Sequence, residues 1–311
     1  MRILITGSNG MLGTELCEVL AKDHEVVGID ISKHYALNAM RYAFYEADIT
    51  DSARIEEVFR LARPELVIHT AAWTDVDGCE KNPAKAYAVN AEGTKNIMFA
   101  MRHACLPARQ APCALLYIST DFVFDGNKTN AYVETDSVGP LSIYGKSKLE
   151  GEKAIVGARL IAPLRYAIVR TSWLFGTHGK NFVDTIIGKV GARLIAPLQV
   201  VNDQVGSPTY AKDLAEALSK LIAAPGALDG ETYHLSNSGF CSWYDFAGKI
   251  FLEIGVSDTV TVKPIKSSEL ARPAARPKFS VLDNGKFVRA TGHKMRPWQD
   301  ALKAYLSESR S

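Results

Sequence analysis

Apolar positions along the chain switch repeatedly between two rhythms. Residues 2–6 (RILIT) form a short apolar run ending at a glycine, and residues 11–22 then place Met11, Leu12, Leu16, Val19 and Leu20 on one face at helical spacing. The run 25–30 (EVVGID) reads as a second strand, and 51–61 as a helix with Ile55, Val58 and Phe59 inward and Asp51 or Ser52 as its cap. Strands are predicted at 66–70 (LVIHT), 114–119 (ALLYIS) and 166–171 (YAIVRT). A long helix from about 84 to 104 separates the first two, and another starts near Ser142 before the third. Runs such as LVIH and AIVRT are apolar on both faces. In strand–helix alternation they predict an α/β fold, a Rossmann-type doubly wound parallel sheet.

The alternation fades after about residue 175, where helices are predicted at about 181–193, 210–223 and 243–254. The pattern divides the chain into a dinucleotide-binding domain over 1–175 and a mainly substrate-binding lobe over 176–311, with some segments returning to the core. The nonamer VGARLIAPL occurs twice, at 156–164 and 190–198, and each copy is expected to end a helix at its proline, Pro163 or Pro197. Nothing around the copies repeats, so they do not mark a repeat architecture.

A length of 311 residues suits one α/β core with a smaller lobe. The composition, 47% hydrophobic and 23% charged, is that of an ordinary globular protein. A formal charge of +2 gives no electrostatic reason to expect a nucleic-acid or membrane partner. No apolar run approaches the ~20 residues of a membrane helix. The opening MRILITG reads as a strand rather than a signal peptide, so a cytoplasmic protein is expected. Cys17, Cys79, Cys105, Cys113 and Cys241 lack zinc or CxxC spacing, and the seven histidines form neither HxxxH nor HExxH. No catalytic metal is expected.

Candidate chemistry begins at the first strand. TGSNGMLG sets Gly7, Gly10 and Gly13 between a strand and an amphipathic helix. A dinucleotide needs this arrangement: a tight turn, close backbone approach to the pyrophosphate, and a helix N-terminus offering unpaired N–H groups. Asp30 lies 17 residues beyond Gly13, near the spacing of a ribose-binding carboxylate. A carboxylate there accepts from a 2′-hydroxyl and repels a 2′-phosphate, so it favours NADH. Lys33 would partly offset that repulsion, and use of NADPH stays open.

Reduction of a carbonyl also needs a polarised oxygen and a proton donor. YGKSK supplies Tyr144 and, four residues on, Lys148, which share one helix face. Of the twelve tyrosines only Tyr144 has lysine at that position. The lysine would lower the phenol pKa and reach the cofactor ribose. ISTD ends a predicted strand and puts Thr120 at the carboxyl edge of the sheet, where ligands bind in this architecture. Thr120 would bond the carbonyl oxygen while Tyr144 donates the proton.

With these residues placed, the chain resembles the dTDP-4-dehydrorhamnose reductase family of the extended short-chain dehydrogenase/reductases along nearly its whole length. The resemblance is carried by HTAAWTDVDGCE (69–80), AVNAEGTKN (88–96), STDFVFDG (119–126), YGKSKLEGE (144–152) and, more specifically, RTSWLFG (170–176), DQVGSPTYAKDLA (203–215) and RPKFSVLDNGKF (276–287). It implies NAD(P)H-dependent reduction of the 4-keto group of dTDP-4-dehydro-L-rhamnose to dTDP-L-rhamnose, a step towards cell-surface polysaccharide. It implies that Gly10, Met11, Leu12, Asp30, Asp48, Ile49, Ala71, Ala72 and Trp73 line the cofactor, and that Thr120, Asp121, Trp173, Gln204 and Arg276 meet the sugar nucleotide. A homodimer is an open expectation. The chain departs from the family at Phe122, where many relatives carry tyrosine, at Trp73, where tyrosine or histidine is usual, and in the repeated nonamer.

Two other readings compete. Dehydratases of the same superfamily need an Asp–Glu pair just after the threonine, and here Asp121 is followed by Phe122, which carries no proton. Simple reduction fits better than dehydration or epimerisation. The regulatory β subunit of methionine adenosyltransferase resembles the same reductases. A non-catalytic NADP-binding subunit is therefore the alternative from a different class, and the intact Thr120, Tyr144 and Lys148 argue against it.

Overall fold

The computed structural model describes residues 1–32, 42–105, 113–161, 164–191 and 197–308. Lys33, Pro163 and residues 192–196 of the second nonamer lie outside the described residues.

The chain opens with β1 (Arg2–Thr6), α1 (Met11–Leu20), β2 (Glu25–Asp30), β3 (Ala43–Glu46), α2 (Ser52–Ala62) and β4 (Leu66–His69). Asp51 caps α2, its side chain accepting from the Arg54 amide. After β4 come α3 (Val76–Lys81) and α4 (Pro83–Tyr87), then a π turn (Ala88–Glu92) and α5 (Gly93–Cys105). The helix expected over about 84–104 is thus two α segments joined by a wide turn. β5 (Ala114–Thr120), α6 (Ile143–Ile161), β6 (Arg165–Thr171) and β7 (Leu174–Phe175) follow.

The remainder holds α7 (Phe182–Gly191), β8 (Leu198–Val201), β9 (Val205–Gly206), β10 (Thr209–Tyr210), α8 (Ala211–Ala223), β11 (Asp229–His234), β12 (Cys241–Ser242), α9 (Trp243–Glu253), β13 (Val262–Ile265), α10 (Gly285–Thr291) and α11 (Trp298–Glu308). Its short pairs, β7 with β10, β8 with β13 and β9 with β12, stand outside the main sheet.

Seven strands form that sheet in the order β11-β6-β5-β4-β1-β2-β3. Every neighbouring pair is parallel, with Thr6 level with His69 and Thr120 level with Thr171. The doubly wound α/β class predicted from the apolar runs is the one observed. One face buries Leu12, Leu16 and Leu20 of α1 against Leu214 and Leu218 of α8. The other buries Ile55, Val58 and Phe59 of α2 against Ile97 and Met101 of α5. A third core, around Phe175, Tyr210, Phe246, Trp298 and Tyr305, sits under the C-terminal segments.

β1 and β4 are neighbours, yet the chain leaves β1 towards β2 and β3 before returning to β4. The strand order reverses there, which opens a crevice at the carboxyl ends of the strands. Gly7 and Ala71 face each other across it. Among the described residues no helix is long and apolar enough to cross a membrane.

Candidate active site

The crevice is lined by backbone that tolerates no side chain. Gly7 has φ +69°, and a Cβ on it would sit 2.8 Å from the Ala71 backbone. A Cβ on Gly13 would strike the Gly7 carbonyl, which already accepts from the Gly10 amide at 3.0 Å. Gly10 precedes α1, whose first turn carries no acid that would occupy the free N–H groups. The residues therefore fit a dinucleotide pyrophosphate. Leu12 points into the core, and Met11 faces Gly176 and Gly179.

Asp30 ends β2, and its two oxygens accept from the amides of Asn9 (2.9 Å) and Ile31 (2.8 Å). The carboxylate thus stands over the glycine loop and also tethers it. Asp48 is exposed and accepts from the amide and hydroxyl of Thr50, both at 2.8 Å. Ile49 is buried, and a Cβ on Gly93 would lie 2.7 Å from its Cδ1.

Ala71, Ala72 and Trp73 form the loop after β4 and are half-buried. Thr6 accepts from the Ala71 amide at 3.3 Å, and Asn90 in the π turn holds Trp73. Asn90 Oδ1 accepts from the Trp73 amide at 2.8 Å, and Asn90 Nδ2 donates to the Trp73 carbonyl at 3.1 Å and to Ser147 Oγ at 2.9 Å. Ser147 in turn donates to the Tyr144 carbonyl at 2.8 Å. Asn90 therefore ties the crevice loop to α6. The sequence reading passed over it, because a π turn leaves no mark in apolar periodicity. The Lys85 ammonium lies 4.7 Å over the Trp73 ring.

Thr120, Asp121, Tyr144 and Lys148 are all buried. The Thr120 hydroxyl donates to Asp121 Oδ1 at 3.1 Å and accepts from the Phe122 amide at 3.2 Å. It lies close enough to the Tyr144 hydroxyl to lower the pKa of that phenol. The threonine and tyrosine that lie 24 positions apart in sequence thus meet at one point. Tyr144 packs against Cys79 and Ala86. Phe122 stands edge-on to its ring, with centroids 5.6 Å apart.

Burial raises the Tyr144 pKa above the usual phenol value against the lowering effect of Thr120, so the phenol holds its proton at neutral pH. Burial lowers Lys148 to about 7, while the negative charge of Glu152 works the other way. Burial raises Asp121 to about 6, and its Oδ2 has no hydrogen-bond partner. Behind α6 lies a buried network that the sequence reading also missed. Arg170 grips Glu152 with both carboxylate oxygens engaged, at 3.1 and 2.7 Å, and Ser119 donates to the same carboxylate at 2.5 Å.

The C-terminal residues expected at the substrate fall into two groups. Trp173 has φ +47°, rare for a bulky residue and costing of order 1–3 kcal/mol. Its ring stacks on Trp243 with centroids 3.4 Å apart and planes within 4°. Gly206 underlies the indole, since a Cβ there would collide with it. Gln204 and Arg276 make polar contacts within the protein. Gln204 donates to Ser267 at 2.8 Å. Arg276 holds the Asp77 carboxylate at 3.1 and 2.8 Å, joining the segment beyond β13 to α3. Ser280, beyond it, is buried and lies near enough to Asp121 to lower its pKa against the effect of burial.

The chain matches the model of the RmlD substrate binding domain over residues 1–311. It is 36% identical over 311 residues to the spore coat polysaccharide biosynthesis protein SpsK of Bacillus subtilis, covering 100% of this chain and 98% of that protein. The crystal structure of a dTDP-4-dehydrorhamnose reductase from Clostridium acetobutylicum is 40% identical and superposes with a TM-score of 0.84, covering 100% of both chains. That of dTDP-4-dehydrorhamnose reductase from Bacillus anthracis in complex with NADP is 38% identical, with a TM-score of 0.83 and 99% of both chains covered. The chain therefore belongs to the RmlD substrate-binding-domain family and stands within it beside the dTDP-4-dehydrorhamnose reductases.

Proposed function

We propose that this protein is an NAD(P)H-dependent reductase that converts the 4-keto group of dTDP-4-dehydro-L-rhamnose to the alcohol of dTDP-L-rhamnose, feeding cell-surface polysaccharide synthesis from the cytoplasm. The observation that carries the reading is the buried group of Thr120, at the carboxyl end of β5, with Tyr144 and Lys148, four residues apart on α6. The full-length likeness to named reductases supports the substrate.

The nicotinamide would supply a hydride to the carbonyl carbon. Gly7, Gly10 and Gly13 would take its pyrophosphate, and Lys148 and the loop at Ala71, Ala72 and Trp73 would hold the rest. Asp30 carries negative charge where a 2′-phosphate would sit, which favours NADH. The NADP complex of the Bacillus anthracis relative makes NADPH the necessary comparison.

The Thr120 hydroxyl donates its proton to Asp121. When the carbonyl oxygen enters, Thr120 would turn its hydroxyl to that oxygen, and Tyr144 Oη would transfer its proton as the C–O bond gains charge. The ammonium of Lys148 would stabilise the phenolate left behind. Reduction therefore consumes one hydride and one proton and makes one alcohol.

The test is loss of NADH or NADPH absorbance when dTDP-4-dehydro-L-rhamnose is added. Turnover with either cofactor is the expected result. No turnover with either would leave a cofactor-binding, non-catalytic protein as the reading.

A further inference from the structure

We propose that Tyr117 is a positioning residue for this reaction: the face of its ring, set against the Lys148 ammonium, holds that side chain in place and keeps it charged. The inference rests on the role given to Lys148 above.

Tyr117 belongs to β5 and is fully buried, and Lys148 is 2% exposed. Lys148 Nζ lies 4.1 Å from the centre of the Tyr117 ring. That is well inside the ~6 Å within which a ring quadrupole attracts a cation, an attraction strengthened by the absence of water. The ring has no freedom to leave. Its hydroxyl donates to the Lys148 carbonyl at 3.4 Å and fills the notch over Gly151, where a Cβ would collide with it. Ring and ammonium are thus anchored to the same turn of α6. Burial raises the Tyr117 pKa, so the phenol stays neutral and the ring face, not a phenolate, meets the cation.

The surrounding charges do not replace this contact. Glu152 lies one helical turn along α6, but its carboxylate is held by Arg170 from β6 and by Ser119 from β5. Among the described residues Lys148 forms no salt bridge. His69 on β4 is lowered to about 3 by burial and then by Lys148 itself, and so is neutral. Asp121, Tyr144 and Cys79 also stand around the site, the first raised to about 6, the second raised and the third raised to about 11, all by burial. Arg170 adds a like charge, directed over Phe124 at 5.2 Å. Burial drives Lys148 towards the neutral amine; the charge of Glu152 opposes that drift from one helical turn away, and the Tyr117 ring opposes it at contact distance.

Lys148 acts only while protonated, so activity is lost as pH rises through its pKa. Tyr117→Leu should move the high-pH limb of kcat/KM about one pH unit towards acid. NADPH affinity, followed by fluorescence titration over the same range, should fall along the same displaced limb. Tyr117→Phe keeps the ring and should leave both limbs where they are. If Tyr117→Leu does not fold, graded fluorination of the Tyr117→Phe ring weakens its quadrupole at nearly constant shape and should move the limbs stepwise. Limbs of folded Tyr117→Leu that coincide with wild type, or a fluorination series without graded movement, would overturn the proposal. Absence of turnover in the wild-type protein would sink the reductase reading alone, because the binding limb still reports on Tyr117.

Discussion

Removing Arg170 is the sharpest test of what holds α6, the helix that carries Tyr144 and Lys148. The Arg170 and Glu152 side chains are 7% and 5% exposed, and the pair is made by two hydrogen bonds at 3.1 and 2.7 Å. Ser119 supplies a third bond to the carboxylate. Arg170 Nη1 has no partner, so the pair is already imperfectly satisfied. Arg170→Met would strand the Glu152 carboxylate in the interior at a cost of about 3–5 kcal/mol. At about 2 °C per kcal/mol, the lower figure for large domains, the variant should melt about 6–10 °C below wild type. Arg170→Met with Glu152→Leu removes both charges. Exchange of a buried pair for apolar groups is often neutral or stabilising by about 1–4 kcal/mol. The Ser119 hydroxyl left without its acceptor would cost about 1–3 kcal/mol, so the double variant should lie near wild type. Urea unfolding of the four proteins in the cycle measures this, with equal m values as the check on two-state behaviour. A single variant within 1 kcal/mol of wild type, or a double variant as unstable as the single, would refute the assignment of Arg170 as the counter-charge that Glu152 requires.

Other outcomes follow from the same geometry. Tyr144→Phe should lower kcat by about 10²–10⁴, the usual contribution of a general acid, while NADPH binding by fluorescence persists; near-normal kcat would mean that another group supplies the proton. Asp30→Ala should move the kcat/KM ratio for NADH and NADPH towards NADPH, and an unchanged ratio would remove Asp30 from the ribose site. Stability should fall as pH drops from 6 to 5. His69 and His234, lowered by burial to about 3 each, stay neutral in the folded chain but charge near 6.5 once unfolded. Asp121, raised to about 6, takes up a proton on folding and cancels one of the two. The net slope is about one proton, or about 1.4 kcal/mol per pH unit, and a flat urea-unfolding profile over this range would contradict it.

Much of the sheet is legible because its strands are buried on both faces. RILIT, LVIH and ALLYIST have no polar side to hide their character, and each appears where its apolar run predicts. The edge strands are not legible for the opposite reason. β11 (DGETYH) is mostly polar and its first four residues are exposed or half-buried, while β3 (AFYE) shows no buried residue at all. Each borrows its conformation from a single neighbour, and no local pattern records that. Helix ends were easier, since Asp51 signals its role by side-chain chemistry alone.

The same division runs through the site. Gly7, Gly13, Thr120, Tyr144 and Lys148 stand at strand ends or at helical spacing, so their meeting follows from topology once the sheet is parallel. The residues that hold them do not announce themselves. Asn90 reaches Trp73 and Ser147 only because the wide turn at Ala88–Glu92 redirects it. Tyr117 looks like any aromatic strand residue, and Glu152 like a surface acid, until β5, β6 and α6 are packed together. Arg276 shows the converse. Its motif placed it at the substrate, yet its guanidinium is bidentate to Asp77 across 199 positions of sequence. Its charge is already matched, so any contact with a nucleotide sugar must compete with an ion pair that clasps α3 to the C-terminal segment. Reading chemistry from sequence thus finds the groups proposed to react. The groups that set their charge and orientation are long-range partners, and they are legible only in the packed chain.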